Sequence, residues 1–183
     1  MFGDLRIIYD QMAIRNFIAI CLLTVIISCK NNSDQSIKDI KPGRVEMTEL
    51  NKYFIQKDKE RIQNYIERKN LSMTESPTGL WYQILEEGRG NNFKNNDKVI
   101  MEYECSLLDG TKCYSSKTDG AKELILGRSE MAAGLNEGLR MLKPGASAIF
   151  ILPPFLAYGL IGDGNKIPSR SVIVYNISIL QTQ

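Results

Sequence analysis

The chain has 183 residues, of which 43% are apolar and 24% are charged, and this size suits one globular domain with flanking segments rather than two full domains. It carries 23 basic and 21 acidic residues, and no Lys/Arg cluster follows one face, so the composition argues against nucleic acid as a partner. The absence of histidine excludes Ser-His-Asp and Cys-His catalysis and every His-containing zinc site. Any chemistry must therefore do without imidazole, and our expectation is that the protein uses no metal and no cofactor.

Residues 1–28 have the pattern of a secretory signal peptide, because a basic segment from Met12 leads into an apolar run from Phe17 to Ile27. The run is shorter than the roughly 20 apolar residues that a transmembrane helix needs, so a retained membrane span is the weaker alternative. Residues 1–11 contain two aspartates and make a poor basic segment. We therefore predict that translation starts at Met12.

The end of the apolar run predicts a lipid attachment site. The segment Ile26-Ile27-Ser28-Cys29 resembles the bacterial lipobox, which implies that cleavage leaves Cys29 as the first residue, already joined to diacylglycerol. The alternative is that Cys29 is an incidental small hydrophobic residue. Several acyl chains would hold the protein on a membrane almost permanently. We expect a protein of the bacterial cell envelope, lipid-anchored on the periplasmic side or in the outer membrane.

Two connecting segments follow the predicted lipidation site. Residues 29–47 are polar, rich in turn-forming residues and without an apolar period, so they are predicted to be a flexible tether. Residues 48–76 are predicted to be a helical segment, since Thr48 to Asn70 contains no Gly or Pro and its apolar residues recur at roughly helical spacing. Two interpretations stay open for this helix: a spacer that lies against the globular domain, or a dimerisation helix. The oligomeric state depends on which of them holds.

Residues 77–183 have the pattern of one α+β domain. Apolar and polar residues alternate from Val99 to Leu107, which predicts a long strand with one wet face, and Asp109-Gly110 predicts a hairpin turn directly after it. The final strand, Val172 to Leu180, places four apolar residues on one face. We expect a mostly antiparallel β-sheet curled around one short α-helix. The remaining predicted elements are strands at Leu80–Leu85, Glu123–Leu126 and Ala146–Leu152, and a helix at Ala133–Leu142.

A series of short motifs in this domain matches one family in order. Over nearly the whole domain the sequence resembles the FKBP-type peptidyl-prolyl cis-trans isomerases, and with its leader it looks most like the gliding-motility-associated lipoprotein isomerases of that family. The resemblance implies an FKBP-like fold and isomerisation of prolyl bonds in exported envelope proteins. The motifs are Gly79-Leu80-Trp81-Tyr82-Gln83-Ile84-Leu85, Leu108-Asp109-Gly110-Thr111, Ser115-Ser116, Leu126-Gly127, Gly134 to Gly138, Lys143-Pro144-Gly145, and Pro153-Pro154 through Ala157-Tyr158-Gly159 to Ile167-Pro168.

The resemblance also implies a set of site residues. It assigns direct roles toward the substrate to Tyr103, to the Tyr158 hydroxyl and to the backbone N–H of Ala132. Leu135 stands where the family usually has a tryptophan platform under the proline ring. The predicted lining of the proline-binding groove is Met131, Leu135, Ile167, Tyr175, Cys113 and Tyr114.

The sequence departs from the family pattern at three places. Cys113-Tyr114 stands where the family usually has Phe-Asp, so the groove is expected to lose an aromatic wall and a carboxylate. Lys122 and Lys166 occupy an aromatic and an apolar family position. These departures keep two functions open: an isomerase, with turnover lowered by the changes, or a catalytically weak module or chaperone that binds proline-containing polypeptides.

Cys105 and Cys113 are the cysteines left in the predicted globular domain. They lie symmetrically about Asp109, so in a hairpin centred there they could face each other across the two strands. An exported compartment favours oxidation. We hypothesise a disulfide between Cys105 and Cys113, with two buried thiols as the alternative.

Overall fold

The computed structural model describes residues 43–180, and its residues from Arg44 onwards form one compact unit. The signal peptide over residues 1–28, the lipidation of Cys29 and nearly all of the tether fall outside the described residues and stay predictions. Within the described part, no helix is both long enough and apolar enough to cross a bilayer.

Helix α1 spans Arg44–Lys69, so it begins four residues before the predicted Thr48. It ends where Asn70 adopts a left-handed conformation, with φ of 50°, and the amide of Leu71 donates to the carbonyl of Ile66 at 3.0 Å. A left-handed asparagine is a common helix terminator because its short polar side chain tolerates that conformation. The helical segment is thus extended at its start, and the predicted end at residue 76 is wrong, because the helix stops at Lys69 and Thr74–Glu75 form a short strand of the sheet.

The two halves of α1 differ in their surroundings. In the second half, Ile62 is 1% exposed and packs with Val172 and Val174 on the sheet. The buried Asp58 is paired with Arg170, whose Nη2 lies 3.1 Å from its Oδ2. The first half leaves several large apolar side chains exposed, namely Val45, Met47, Leu50, Tyr53 and Ile55. Docking of the second half is what the spacer interpretation predicts, while the oligomeric state stays open.

Seven strands form one sheet in which every pair is antiparallel. The order along the sheet is β1-β2-β6-β7-β3-β4. Strand β5 lies on the same edge of β3 as β4, and the two strands pair with different parts of that edge. This confirms the predicted mostly antiparallel sheet. The strands are β1 (Thr74–Glu75), β2 (Trp81–Glu86), β3 (Lys98–Leu107), β4 (Lys112–Ser115), β5 (Lys122–Ile125), β6 (Ser147–Leu152) and β7 (Ile173–Ile179).

Two short helices and one 3₁₀ turn lie between the strands: α2 (Ser116–Asp119), α3 (Ala133–Leu139) and Pro154–Leu156. Helix α3 ends three residues before the predicted Leu142, since the next amides bond to carbonyls three residues back. Its close approach to β6 depends on small residues. A Cβ added at Gly138 would stand 2.7 Å from the Phe150 ring. The predicted sheet curled around one helix is confirmed around α3, and its core contains Leu135, Leu139, Leu142, Phe150 and Leu152.

The second face of the sheet is also covered at one end. Ile151, Val172 and Val174 form a separate apolar cluster with Ile62 of α1. Ser106, which pairs with Val174, is therefore buried. The sequence pattern predicted a solvent-exposed face along the whole of β3. This prediction is wrong at the Ser106 end, because α1 shields that end of the strand from solvent.

The β3–β4 hairpin contains a bulge that changes the predicted pairing of the cysteines. Cys105 stands opposite Tyr114, and the register shifts before Ser106 pairs with Lys112. Cys113 lies in the bulge and directs its thiol toward the Thr111 and Lys166 carbonyl oxygens, at 3.8 and 3.6 Å. Both thiols are free and buried in the structure. The expected facing of Cys105 and Cys113 is wrong in register, and the alternative of two buried thiols describes what is found.

Candidate active site

Three tyrosines meet where β3 and β7 lie side by side. The rings of Tyr103 and Tyr175 are tilted at 48° with their centroids 6.4 Å apart. Cys105, two residues after Tyr103 on the same strand face, pairs in register with Tyr175. Tyr158, in the loop after β6, packs against the same apolar cluster and is close enough to Tyr175 to affect the pKa of its hydroxyl. The structure thus brings together three of the residues that the sequence assigned to the groove.

Burial suppresses ionisation throughout this cluster. It raises the pKa of Tyr175, which is 5% exposed, far above the usual tyrosine range. It also raises the pKa values of Tyr158 and Tyr103 and brings that of the Cys105 thiol to about 12. Tyrosine hydroxyls in such a place are neutral at physiological pH and serve as hydrogen-bond donors, not as bases.

The start of α3 supplies the apolar floor of the cluster. Leu135 is 1% exposed and Ile167, from the late loop, is 2% exposed. Met131 and Ala132 lie immediately before the helix, where Ala132 is the N-cap residue and has no side-chain hydrogen bond. All four belong to the same apolar cluster as Tyr158 and Tyr175. The donor role of the Ala132 N–H stays a prediction, and its place at a helix start suits an amide free to meet a carbonyl.

Tyr158 is fixed by tight turns on either side. The 3₁₀ turn Pro154–Leu156 precedes it, and Gly159 follows with φ of 63°. The Gly159 amide donates to the Pro154 carbonyl at 2.8 Å, and the Gly159 carbonyl accepts from the Arg170 amide at 2.9 Å. The Tyr158 ring is half-buried, and the backbone that follows it is anchored through both polar groups of Gly159.

The remaining predicted lining residues lie on β4. Cys113 is buried, and Tyr114 is half-buried with its ring against the main core. The Tyr114 hydroxyl donates to the Asp163 carboxylate on the late loop. The Lys166 ammonium stands over the Tyr114 ring, 5.0 Å from its centroid. Lys122, at the start of β5, is exposed.

Asp163 is a residue that the sequence analysis did not single out. Its pKa is lowered overall, because burial, which raises it, is outweighed by hydrogen bonds from the Tyr114 hydroxyl and the Ile167 and Asn165 amides. An Asp-Gly-Asn stretch signals a turn with an Asp side chain that accepts backbone amides. No local signal in the sequence shows that this carboxylate meets a tyrosine 49 positions away.

The described residues contain no group of three or more His, Cys, Asp or Glu side chains that could hold a metal ion. The chemistry that the tyrosine cluster offers comes from buried groups that stay protonated. It consists of a dry apolar surface, aromatic faces, neutral hydroxyl donors and backbone amides, a set that can bind a small apolar ring and orient the peptide groups beside it.

Comparison with known proteins agrees with this geometry. Residues 90–180 match the family model described as FKBP-type peptidyl-prolyl cis-trans isomerase. The probable isomerase FkpA of Neisseria meningitidis serogroup B is 36% identical over 104 residues, which are 57% of this chain and 38% of that protein. FkpA of Escherichia coli K12 is 33% identical over 127 residues, which are 69% of this chain and 46% of that protein.

Solved structures show the same fold. The crystal structure of FkpA from Escherichia coli superposes with a TM-score of 0.60 at 28% identity and covers 77% of this chain and 73% of its own. The crystal structure of AtFKBP13 gives a TM-score of 0.56 at 25% identity and covers 61% of this chain and 99% of its own. The chain spans less than half the length of the two curated relatives. Through residues 90–180, it belongs to the FKBP-type peptidyl-prolyl cis-trans isomerase family.

Proposed function

We propose that the domain is a peptidyl-prolyl cis-trans isomerase that acts on proline-containing polypeptides. The convergence of Tyr103, Tyr158 and Tyr175 over the buried Leu135 and Ile167, inside a domain of this family, carries the proposal. The cluster combines apolar side chains with three tyrosine hydroxyls, which are the kinds of group that a prolyl ring and its flanking carbonyls would contact.

The reaction needs neither a nucleophile nor a metal. Rotation about an X-Pro bond meets a barrier of about 18 to 20 kcal/mol, because the resonance of the amide is lost in the twisted state. A dry site supports the polar planar amide less well than water does, and fixed donors hold the neighbouring carbonyls in a geometry nearer the twisted state. The Tyr158 hydroxyl and the Ala132 amide are the donors that we assign to this task.

A protease-coupled assay tests the proposal. The purified full chain, kept in detergent, is added to a tetrapeptide in which only the trans-prolyl form is cleaved. We expect a rate above the uncatalysed one and, for Tyr158→Phe, a kcat/KM lower by about tenfold, which corresponds to 1.36 kcal/mol in the transition state. The same variant should unfold at nearly the wild-type temperature, because the ring stays in place. A wild-type rate equal to that of buffer refutes the enzyme.

The second candidate is a module that binds proline-containing segments without useful turnover. The observation that favours it is the exposure of Lys122 and Lys166 at positions where the family resemblance leads one to expect apolar side chains. Binding of a proline-containing peptide, measured by titration calorimetry, together with a prolyl assay rate equal to that of buffer, is the result expected for this module.

We further propose that the protein is lipid-anchored in the bacterial envelope and assists folding or assembly of exported proteins there, including gliding-motility or secretion machinery. The lipobox-like segment ending at Cys29 supports the anchor, and the leader-like sequence before it supports export. Metabolic labelling with a tagged fatty acid should mark the wild-type chain and not Cys29→Ser. Equal labelling of both would rule out this attachment site.

A further inference from the structure

Tyr114 faces the tyrosine cluster because of the β3–β4 register. It stands directly opposite Cys105, and residues directly opposite in an antiparallel pair project to the same face of the sheet. Cys105 is fully buried beside Tyr175. The Tyr114 ring consequently packs against the core at the edge of the candidate site, and not into solvent on the other face.

One carboxylate, that of Asp163, connects this ring to the late loop. It accepts from the Tyr114 hydroxyl through Oδ2, and through Oδ1 it accepts from the Asn165 amide at 2.9 Å and the Ile167 amide at 2.8 Å. The Asp163 amide in turn donates to the Ile167 carbonyl at 3.1 Å. Ile167 is part of the apolar lining, so a single side chain fixes two walls of the site relative to each other.

Two further contacts hold the same loop against β4. The Lys166 ammonium covers the Tyr114 ring, while the Lys166 carbonyl accepts from the Cys113 thiol at 3.6 Å. The turn itself is tightly closed, since a Cβ at Gly162 would stand 2.2 Å from the Ile167 carbonyl oxygen. The ring of Tyr114 is thus held at its hydroxyl by Asp163 and on one face by Lys166.

We propose that Asp163 is a positioning residue of the isomerase and that the Tyr114 ring is the groove wall it holds in place. The inference rests on the proposed isomerase function and deepens it. Sequence comparison with the family pattern led us to expect a groove short of one aromatic wall and one carboxylate. In the structure, Tyr114 supplies an aromatic ring from the position where the family usually has the aspartate. Asp163 of the late loop supplies the carboxylate, so both missing groups are present but come from other positions.

Asp163→Asn is the central variant. The asparagine oxygen can still accept from the Asn165 and Ile167 amides, so the loop keeps its fold, while an NH2 group, which donates and cannot accept, replaces the charged oxygen that faces the Tyr114 hydroxyl. Glu130→Gln is the matched control. Glu130 is exposed and acts on Tyr158 only through space, and its change also removes one negative charge near the site.

The experiment measures kcat/KM of the full chain in the prolyl assay, with tetrapeptides that differ in the residue before proline. We expect Asp163→Asn and Tyr114→Phe each to lower kcat/KM by about fivefold to tenfold, and Glu130→Gln to stay within about twofold of wild type. The double variant should be no worse than the more damaging single one, because both changes remove the same hydrogen bond, from the Tyr114 hydroxyl to the Asp163 carboxylate. We also expect the singles to alter the preference for the residue before proline, an effect that a merely structural role would not produce.

Several results would overturn the inference. Wild-type turnover with both single variants within twofold of it would show that the pair does not position the groove. Multiplying effects in the double variant would show that the two residues act separately. An equal loss for every peptide, together with a lower unfolding temperature, would assign Asp163 to folding alone. These outcomes leave the isomerase itself intact, whereas a wild-type chain without turnover overturns both.

Discussion

The docking of helix α1 onto the sheet is tested most directly by Ile62→Ala. Ile62 is 1% exposed and packs in the cluster with Ile151, Val172 and Val174. The change removes three carbon atoms, worth about 2.4 kcal/mol at about 0.8 kcal/mol for each buried carbon. A residual cavity adds to this, and buried Ile→Ala changes cost about 2 to 5 kcal/mol. We expect the free energy of unfolding to fall by about 3 kcal/mol.

Ile55→Ala on the same helix is the matched control. Ile55 is 50% exposed, so the same three atoms leave a site that is already in contact with water, and we expect a loss below about 1 kcal/mol. The two variants are compared by urea denaturation followed by circular dichroism. A loss for Ile62→Ala no larger than that for Ile55→Ala would mean that α1 does not dock on the sheet in solution. It would also remove the support for the spacer interpretation.

Three further predictions concern the site and its surroundings. Hydrogen bonding to Asp163 and burial raise the pKa of Tyr114 to about 12. The stability that this neutral hydroxyl contributes is fully present below the ordinary tyrosine pKa of about 10 and is lost as the pH rises through about 12. The difference between the ultraviolet titration curves of the wild type and Tyr114→Phe should show its transition near pH 12, and a transition near about pH 10 would contradict the hydrogen bond to Asp163. Burial raises the pKa of both Cys105 and Cys113, so alkylation at pH 8 should be slow until the chain unfolds, and rapid labelling of native protein would refute their burial. Gly162→Ala should lower the free energy of unfolding by about 2 kcal/mol or more, because φ is +80° and a backbone oxygen would lie 2.2 Å from the new Cβ; calorimetry showing an unchanged unfolding temperature would be inconsistent with the tight turn.

Much of the sheet could be predicted from period-two patterning. β7 shows the pattern at its clearest, since Ile173, Tyr175, Ile177 and Ile179 are all buried while Asn176 is exposed. Where a second layer covers the sheet, side chains on both faces are buried, so the alternation no longer predicts which of them are exposed. The burial of Ser106 by the α1 side of the molecule could not be read from β3 alone, because it depends on a helix that lies more than thirty residues earlier in the chain.

The candidate site was predictable where strand parity or a family motif fixed a residue. The alternation of side chains along β3 and β7 placed Tyr103 and Tyr175 on the apolar faces of these strands. The structure brings them together with Tyr158 and Leu135. Pairing across the hairpin was less predictable, because one bulged residue exchanges the faces of all that follow. The same bulge that separates the two thiols puts Tyr114 opposite Cys105.

The uneven burial of α1 has a consequence for how the molecule opens. Its 26 residues make a rod about 39 Å long at 1.5 Å per residue, yet its buried residues lie around Ile62, and the turns before Phe54, whose ring lies under the Arg170 guanidinium, are exposed. A free helix of a dozen residues is marginal in water, so the turns near Arg44 depend on continuity with the docked turns. Amide protons should therefore exchange with solvent quickly at that end and progressively more slowly toward Ile62, where exchange requires the whole domain to unfold. A mechanical force applied to the exposed end of α1 should therefore unwind the helix turn by turn before it disrupts the sheet.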